Sequence, residues 1–139
     1  MNIDQMTERL QRILMEAIQL AQAQGQSELN VEHCLKAIFE DDGIDGLWQR
    51  LGQDKQRTLQ IVDSYMKRLP SSTSGAQPNL SREVNQAYQE ALKWSQAHEE
   101  TYMCSVACLI GLLFGGSAVA KAILEATGIT RKALEKAEE

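Results

Sequence analysis

The sequence predicts an all-α fold of about eight helices, built as two pseudo-symmetric four-helix repeats that pack into one compact domain. Apolar residues recur at helical spacing almost throughout, whereas the alternation typical of a β-strand is almost nowhere found. The chain also repeats itself, since Ala17 and Ala91, like Cys34 and Cys108, are 74 positions apart. One four-helix unit is too small to bury its own apolar stripe, so we expect the two to pack together.

Capping and breaking residues divide each repeat into four helices. In the first repeat, predicted over residues 1–70, the caps and breaks fall at Thr7, Gly25, Asn30, Gly52, Asp54 and Pro70. In the second repeat, predicted over residues 81–139, they fall at Ser81, Gly115, Gly128 and Thr130. Residues 71–80 hold the only long Ser, Gly and Pro segment and are predicted to connect the repeats.

Composition excludes several classes of function. A net charge of −5, with no run of Lys and Arg, argues against a nucleic-acid partner. The longest apolar stretch, residues 106–114, is too short to span a membrane, and the first residues lack the pattern of a signal peptide. Three cysteines are an odd number without a disulfide framework, so a reducing, cytoplasmic location is expected. Nothing indicates an oligomer, and a monomer is expected.

Three motifs of each repeat together resemble the amino-terminal, or Clp repeat, domain of the Clp ATPases. In the first repeat they are a capped amphipathic helix, a Glu-His-Cys-Leu segment and a helix end before glycine, at residues 7–21, 32–35 and 47–52. The segments most similar to the ClpB disaggregase branch of that family are residues 68–70, 76–78 and 117–128. The resemblance covers essentially the whole chain.

The resemblance implies a receptor module on a hexameric, ATP-driven unfolding machine that engages unfolded or aggregated polypeptide or an adaptor protein. The chain itself lacks a phosphate-binding Gly-x-x-x-x-Gly-Lys-Ser/Thr segment, because no lysine follows Gly115 and Gly116 at the required position. ATP and Mg²⁺ would therefore belong to other modules of a parent protein. No catalysis and no cofactor are expected in this chain.

In the ClpB branch the resemblance implies a shallow apolar groove for substrates, formed around the first helix start and the stretch that leads into the sixth helix. The residues at or lining that groove here would be Thr7, Tyr88, Trp94, Glu100, Tyr102, Met103, Val106 and Ala107. Val106 and Ala107 depart from the Glu-Leu pair of the family, which makes the floor less charged. The helical phase of Trp94 and Met103 is equally compatible with core positions, whereas Tyr102 is expected to be exposed.

The ClpC branch implies a second kind of site, a pair of phosphoarginine pockets that each combine a hydroxyl residue with a glutamate. The matching positions are Thr7 with Glu32, and Ser81 with Val106. A carboxylate suits a guanidinium, and helix-start amides suit a phosphate. Val106 cannot accept a hydrogen bond, however, and the hydroxyls are equally explained as helix caps.

Two further interpretations use the cysteines and histidines. His98, Cys104 and Cys108 could be imagined as zinc ligands, but Cys108 falls on the apolar stripe and no second close pair of ligands is present, so no metal site is expected. A nucleophilic enzyme with Cys104 attacking and His98 as the base lacks an orienting third residue. His33, on the second helix, is expected to be structural.

Overall fold

The protein is all-α, as predicted. The computed structural model describes residues 1–71 and 77–138. In that part of the chain eight helices follow one another: α1 (Glu8–Ala23), α2 (Val31–Glu40), α3 (Asp45–Arg50), α4 (Lys55–Met66), α5 (Arg82–Ala97), α6 (Ser105–Leu113), α7 (Ala118–Thr127) and α8 (Arg131–Glu138). Single 3₁₀ turns lie at Ile3–Gln5 and Asp42–Ile44.

The predicted connector falls partly outside the described residues. Positions 72–76 are not described, and the end of the segment forms a two-residue strand, β2 (Asn79–Leu80), that the sequence does not predict. Helix α4 also ends at Met66, earlier than the predicted end at Pro70. The backbone N–H groups of Arg68 and Leu69 bond back three residues instead of four, which tightens the chain out of the α-helix.

Helix starts in the two halves of the chain correspond closely. Helices α1 and α5 both have 16 residues, and their N-caps, Thr7 and Ser81, each accept a hydrogen bond from the N–H three residues on, as predicted. The chain leaves α1 through Gly25 with φ 67° and leaves α5 through Glu99 with φ 54°. The same left-handed exit is therefore made in both halves, although only the first has a glycine there.

Two short parallel backbone pairings join the halves. Strand β1 (Glu28–Leu29) pairs with β2, placing Leu29 beside Leu80, and an isolated bridge joins Met6 to Met103. Since Met6 and Leu80 are 74 positions apart, as are Leu29 and Met103, exchanging the halves turns one pairing into the other. This is the arrangement expected of a two-fold related pair. The division of the chain at residues 70 and 81 stays a prediction.

A continuous apolar core runs between the helices. Helices α5 and α6 pack most closely, because Gly111 lies directly against the backbone of Ala87. In the first half, Trp48 packs on Phe39 with 4.8 Å between ring centres and donates its indole N–H to Thr58 Oγ1 at 3.0 Å. The core thus holds α5 against α6, and α3 against α2 and α4.

His33 is fully buried and ties the start of α2 to the end of α1. Its Nδ1 accepts the backbone N–H of Asn30 at 2.9 Å, so its proton lies on Nε2, which donates to Gln26 Oε1. Burial lowers the pKa of His33 to about 4. The expectation of a structural histidine agrees with these contacts.

The helices are short relative to the thickness of a membrane. In the described ranges, no single helix is long and apolar enough to cross a bilayer. Helices α6 and α7 reach the required length and composition only when taken together across a bend of 98°.

Candidate functional site

The Met6–Met103 bridge brings the start of α1 next to the start of α6. Thr7 donates its backbone N–H to the carbonyl of Met103 at 2.9 Å, and Met103 donates its own N–H to the carbonyl of Gln5 at 2.8 Å. We call the surface around this bridge the α1–α6 surface. Its residues are Thr7, Glu100, Tyr102 and Val106, and Ile3 lies beside it in the segment that precedes Thr7.

Apolar side chains are concentrated at this surface. Tyr102 is 55% exposed and Ile3 is 38% exposed, and they flank the two backbone segments that the bridge joins. Val106, in the first turn of α6, is half-buried beside them. Four large apolar side chains are exposed among the described residues, and two of them, Ile3 and Tyr102, lie at or beside this surface.

Four of the residues expected to line the groove lie inside the protein. Tyr88, Trp94, Met103 and Ala107 are all buried. Because these side chains pack in the core, they do not present an open wall to a ligand. For Trp94, the structure decides between the two interpretations of its helical phase in favour of the core.

The first turn of α6 presents backbone N–H groups with few acidic neighbours. Cys104 holds the N-cap position without an oxygen to offer, and the first turn carries no Asp or Glu. The Cys104 thiol instead contacts Glu100, with 3.7 Å from Sγ to Oε1. Burial and the Glu100 carboxylate raise the pKa of this thiol, while the backbone N–H groups of Val106 and Ala107 oppose that rise. The α1–α6 surface therefore places the Glu100 carboxylate near the apolar side chains of Tyr102 and Val106.

The corresponding place in the other half carries Glu32 and Glu83. There, Ser81 donates its backbone N–H to the carbonyl of Leu29 at 3.0 Å, which brings the start of α5 next to the start of α2. Partial burial, together with the nearby Glu83 carboxylate, raises the pKa of Glu32. Two quasi-equivalent surfaces therefore differ in chemistry, with Val106 at one and Glu32 at the other.

These pairings run across the halves, whereas the phosphoarginine interpretation paired residues within a half. Thr7 lies beside the segment that leads into Val106, and Ser81 lies beside the segment that leads into Glu32. In the described ranges, Thr7 and Glu32 share no hydrogen bond. The backbone therefore brings Ser81, and not Thr7, close to the segment that carries Glu32.

His98, Cys104 and Cys108 have separate surroundings. The His98 ring stacks on Trp94 with 3.9 Å between ring centres, and its Nδ1 lies 2.8 Å from the Trp94 carbonyl oxygen. Burial raises the pKa of the Cys108 thiol to about 12. Cys104 contacts Glu100, as described above, so it is not activated by His98 as a nucleophile would require. In residues 1–71 and 77–138, no group of His, Cys, Asp or Glu is placed to hold a metal ion.

Sequence reasoning missed the role of the first residues of the chain. The backbone N–H of Asn2 donates to the hydroxyl of Tyr88 at 3.1 Å, across 86 positions of sequence. Met1 lies beside Met103 and Tyr88 at the edge of a small internal cavity. No periodic pattern in residues 1–5 signals this contact, because it involves one backbone donor and one side-chain tip.

Comparison with known proteins agrees with the architecture. The chaperone protein ClpB of Bacteroides thetaiotaomicron is 31% identical over 139 residues, covering 99% of this chain and 16% of that protein. The chain thus spans about a sixth of the length of the curated relative. The amino-terminal domain of Hsp104 from Candida albicans superimposes with a TM-score of 0.83 at 22% identity, covering 95% of this chain and 87% of that one.

A ClpV N-domain, whose structure was solved in complex with a VipB peptide, superimposes with a TM-score of 0.77 at 20% identity, covering 96% of this chain and 84% of that one. At such identities the likeness establishes the fold alone. The family model of the Clp repeat (R) N-terminal domain matches residues 5–127, which is most of the chain. The chain therefore belongs to the family of Clp repeat (R) N-terminal domains, as its motifs predicted.

Proposed function

We propose that this chain is the substrate-receptor domain of a ClpB-like, ATP-dependent protein disaggregase. In this proposal the α1–α6 surface engages unfolded or aggregated polypeptide, and the chain itself performs no catalysis. The single observation that carries the proposal is the exposure of Tyr102, 55%, directly beside the backbone bridge that joins the two halves. An apolar surface on fixed helix starts is suited to bind segments that a folded protein keeps buried.

The proposed binding is weak for each copy and multivalent in the assembly. A small surface such as this one cannot bury enough area for tight binding by itself. Six copies around a hexameric ring would raise the effective concentration of binding surfaces, so weak capture suffices. ATP, Mg²⁺ and the ring contacts belong to the parent protein, and we place the assembly in the cytoplasm because the three cysteines are free.

An adaptor protein is the second candidate for the same surface. The observation that favours it is the related ClpV N-domain, which was solved with a VipB peptide bound. A dedicated adaptor would bind as one saturable, high-affinity partner, whereas unfolded clients would bind weakly and in many sequences. A phosphoarginine-binding role is less favoured, because Val106 offers no acceptor at one of the two quasi-equivalent places.

Tyr102→Asp is expected to weaken binding of a permanently unfolded, apolar-rich polypeptide by about tenfold or more, since a charge replaces the central apolar contact. Fluorescence anisotropy with a labelled client measures this. Tyr102 is exposed, so the melting temperature should change little.

Met15→Asp is the matched control, because Met15 is also exposed, at 49%, but lies two turns into α1. It should bind the client as the parent does. Equal binding by the parent and the Tyr102→Asp variant would contradict the proposal.

A further inference from the structure

The first residues of the chain cover part of the candidate site. Asn2 is held by the hydroxyl of Tyr88, and Gln5 by the backbone N–H of Met103. The 3₁₀ turn at Ile3–Gln5 contains no buried residue. Met1 and Ile3 remain 41% and 38% exposed. Residues 1–5 therefore lie on the protein surface as a strap that few contacts hold.

An apolar pocket lies beneath this strap, at the boundary between the two halves. Met1 completes its wall, and only about 10 Å³ of free space remains inside. Residues from both halves line it, including Met6, Leu14, Tyr88, Met103 and Leu112. Removal of the Met1 side chain would open the pocket toward the α1–α6 surface. The strap thus places the unbranched Met1 side chain against the pocket, and the Asn2 backbone N–H donates to the Tyr88 hydroxyl.

We propose that residues 1–3 act as an intramolecular stand-in for the client, and that a bound client displaces them. The client is an extended polypeptide segment that inserts an apolar side chain without a branch at Cβ, such as Met or Leu, where Met1 now lies. Its own backbone N–H then donates to the Tyr88 hydroxyl in place of Asn2. The inference rests on the proposed function, because it specifies how that surface binds its client.

The contacts of the strap explain why displacement is feasible. A client that reproduces the hydrogen bond to Tyr88 and the apolar contact of Met1 gains what the strap loses, and it adds its contacts with Tyr102. A resident competitor lowers apparent affinity by the fraction of molecules in which it occupies the site. The strap therefore keeps the pocket covered in the absence of clients and makes each binding event weak.

The test compares the parent with a shortened chain that begins at Asp4 and with Tyr88→Phe, each titrated with a labelled, unstructured peptide of alternating Leu and Ser. The shortened chain should bind the peptide several-fold to tenfold more tightly. Tyr88→Phe keeps the ring in the pocket wall but removes a hydrogen bond that Asn2 and the client use in turn. It should therefore bind like the parent when made in the 139-residue chain, and should weaken binding when made in the shortened chain. Tyr65→Phe, on α4 and far from the strap, is the matched control and should bind like the parent.

Weaker or unchanged binding by the shortened chain would overturn the inference. Weaker binding would mean that Met1 and Ile3 themselves contact the client. If the parent binds and Tyr102→Asp weakens binding, while the shortened chain, with or without Tyr88→Phe, matches the parent, only the strap is refuted and the proposed function stands. Absence of binding by the parent and all variants would refute the proposed function and, with it, this inference.

Discussion

Gly111→Ala is expected to destabilise the protein by about 3 kcal/mol. A Cβ at this position would lie well inside van der Waals contact with the Ala87 carbonyl oxygen and 3.1 Å from its carbonyl carbon. Backbone atoms cannot rotate away as a flexible side chain can, so α5 and α6 must separate. The small gain in helix propensity from Gly to Ala, about 1 kcal/mol, does not offset this loss of packing. Urea unfolding, followed by circular dichroism, measures the change.

Gly46→Ala is the matched control for this substitution. Gly46 also lies within a helix, α3, but its nearest neighbour to an added Cβ is the end of the Arg50 side chain at 3.5 Å. Its stability should be unchanged or slightly raised. If Gly111→Ala were as stable as Gly46→Ala, the close packing of α5 on α6 would be wrong, and with it the position of the α6 start.

His33→Ala is the second substitution for which a large effect is expected, a loss of about 3 kcal/mol. It removes the acceptor for the Asn30 N–H and the donor to Gln26, and it leaves a cavity at a fully buried position. The backbone itself should tolerate alanine, because Ala107 stands at the quasi-equivalent position of α6. Thermal and urea unfolding at pH 7.5 measure the loss.

His33 also makes stability depend on pH. Its pKa is about 4 in the folded protein, below the ordinary value of 6.5, so the unfolded chain takes up a proton first as the pH falls. The stability is fully present above pH 6.5 and is lost progressively towards pH 4. Between pH 7.5 and 5.5 we expect a loss of about 1.3 kcal/mol.

The His98→Gln variant should show the same loss of stability between pH 7.5 and 5.5, because His98 is exposed at the end of α5. The His33→Ala variant should not show it. The half-buried Glu32 carboxyl, whose pKa is raised, acts with the opposite sign, so between pH 7.5 and 5.5 the comparison of the parent with His33→Ala isolates the histidine. A parent stability that does not fall within this window would contradict the neutral, buried state of His33.

Much of the fold could be predicted because it depends on local signals. The hydroxyl caps Thr7 and Ser81 and the helix periodicity locate α1 and α5 without any tertiary information. Strands β1 and β2 could not be predicted, since two residues are too few to show alternation. The left-handed Glu99 was equally hidden, because the helix end there closes with a hydrogen bond from the Glu100 N–H to the Ser95 carbonyl, in a conformation for which the first half has Gly25.

The candidate site was predictable only in part, because it is assembled across the two halves. Exposure of Tyr102 was expected from its place before α6, and it is observed. The burial of Trp94 and Met103 is decided by packing, since their helical phase is equally compatible with a groove wall. The contact of Asn2 with Tyr88 joins residues 86 positions apart through one hydrogen bond, which no sequence pattern encodes.

The receptor role of the α1–α6 surface is tested most directly by an NMR titration of the isotope-labelled domain with a permanently unfolded, apolar-rich polypeptide. We predict that the amide shifts which move will cluster at Thr7 and across residues 100–107, with smaller changes in residues 2–5 as the strap is displaced. A spectrum that does not move, or shifts that cluster instead around Ser81 and Glu32, would contradict client binding at this surface.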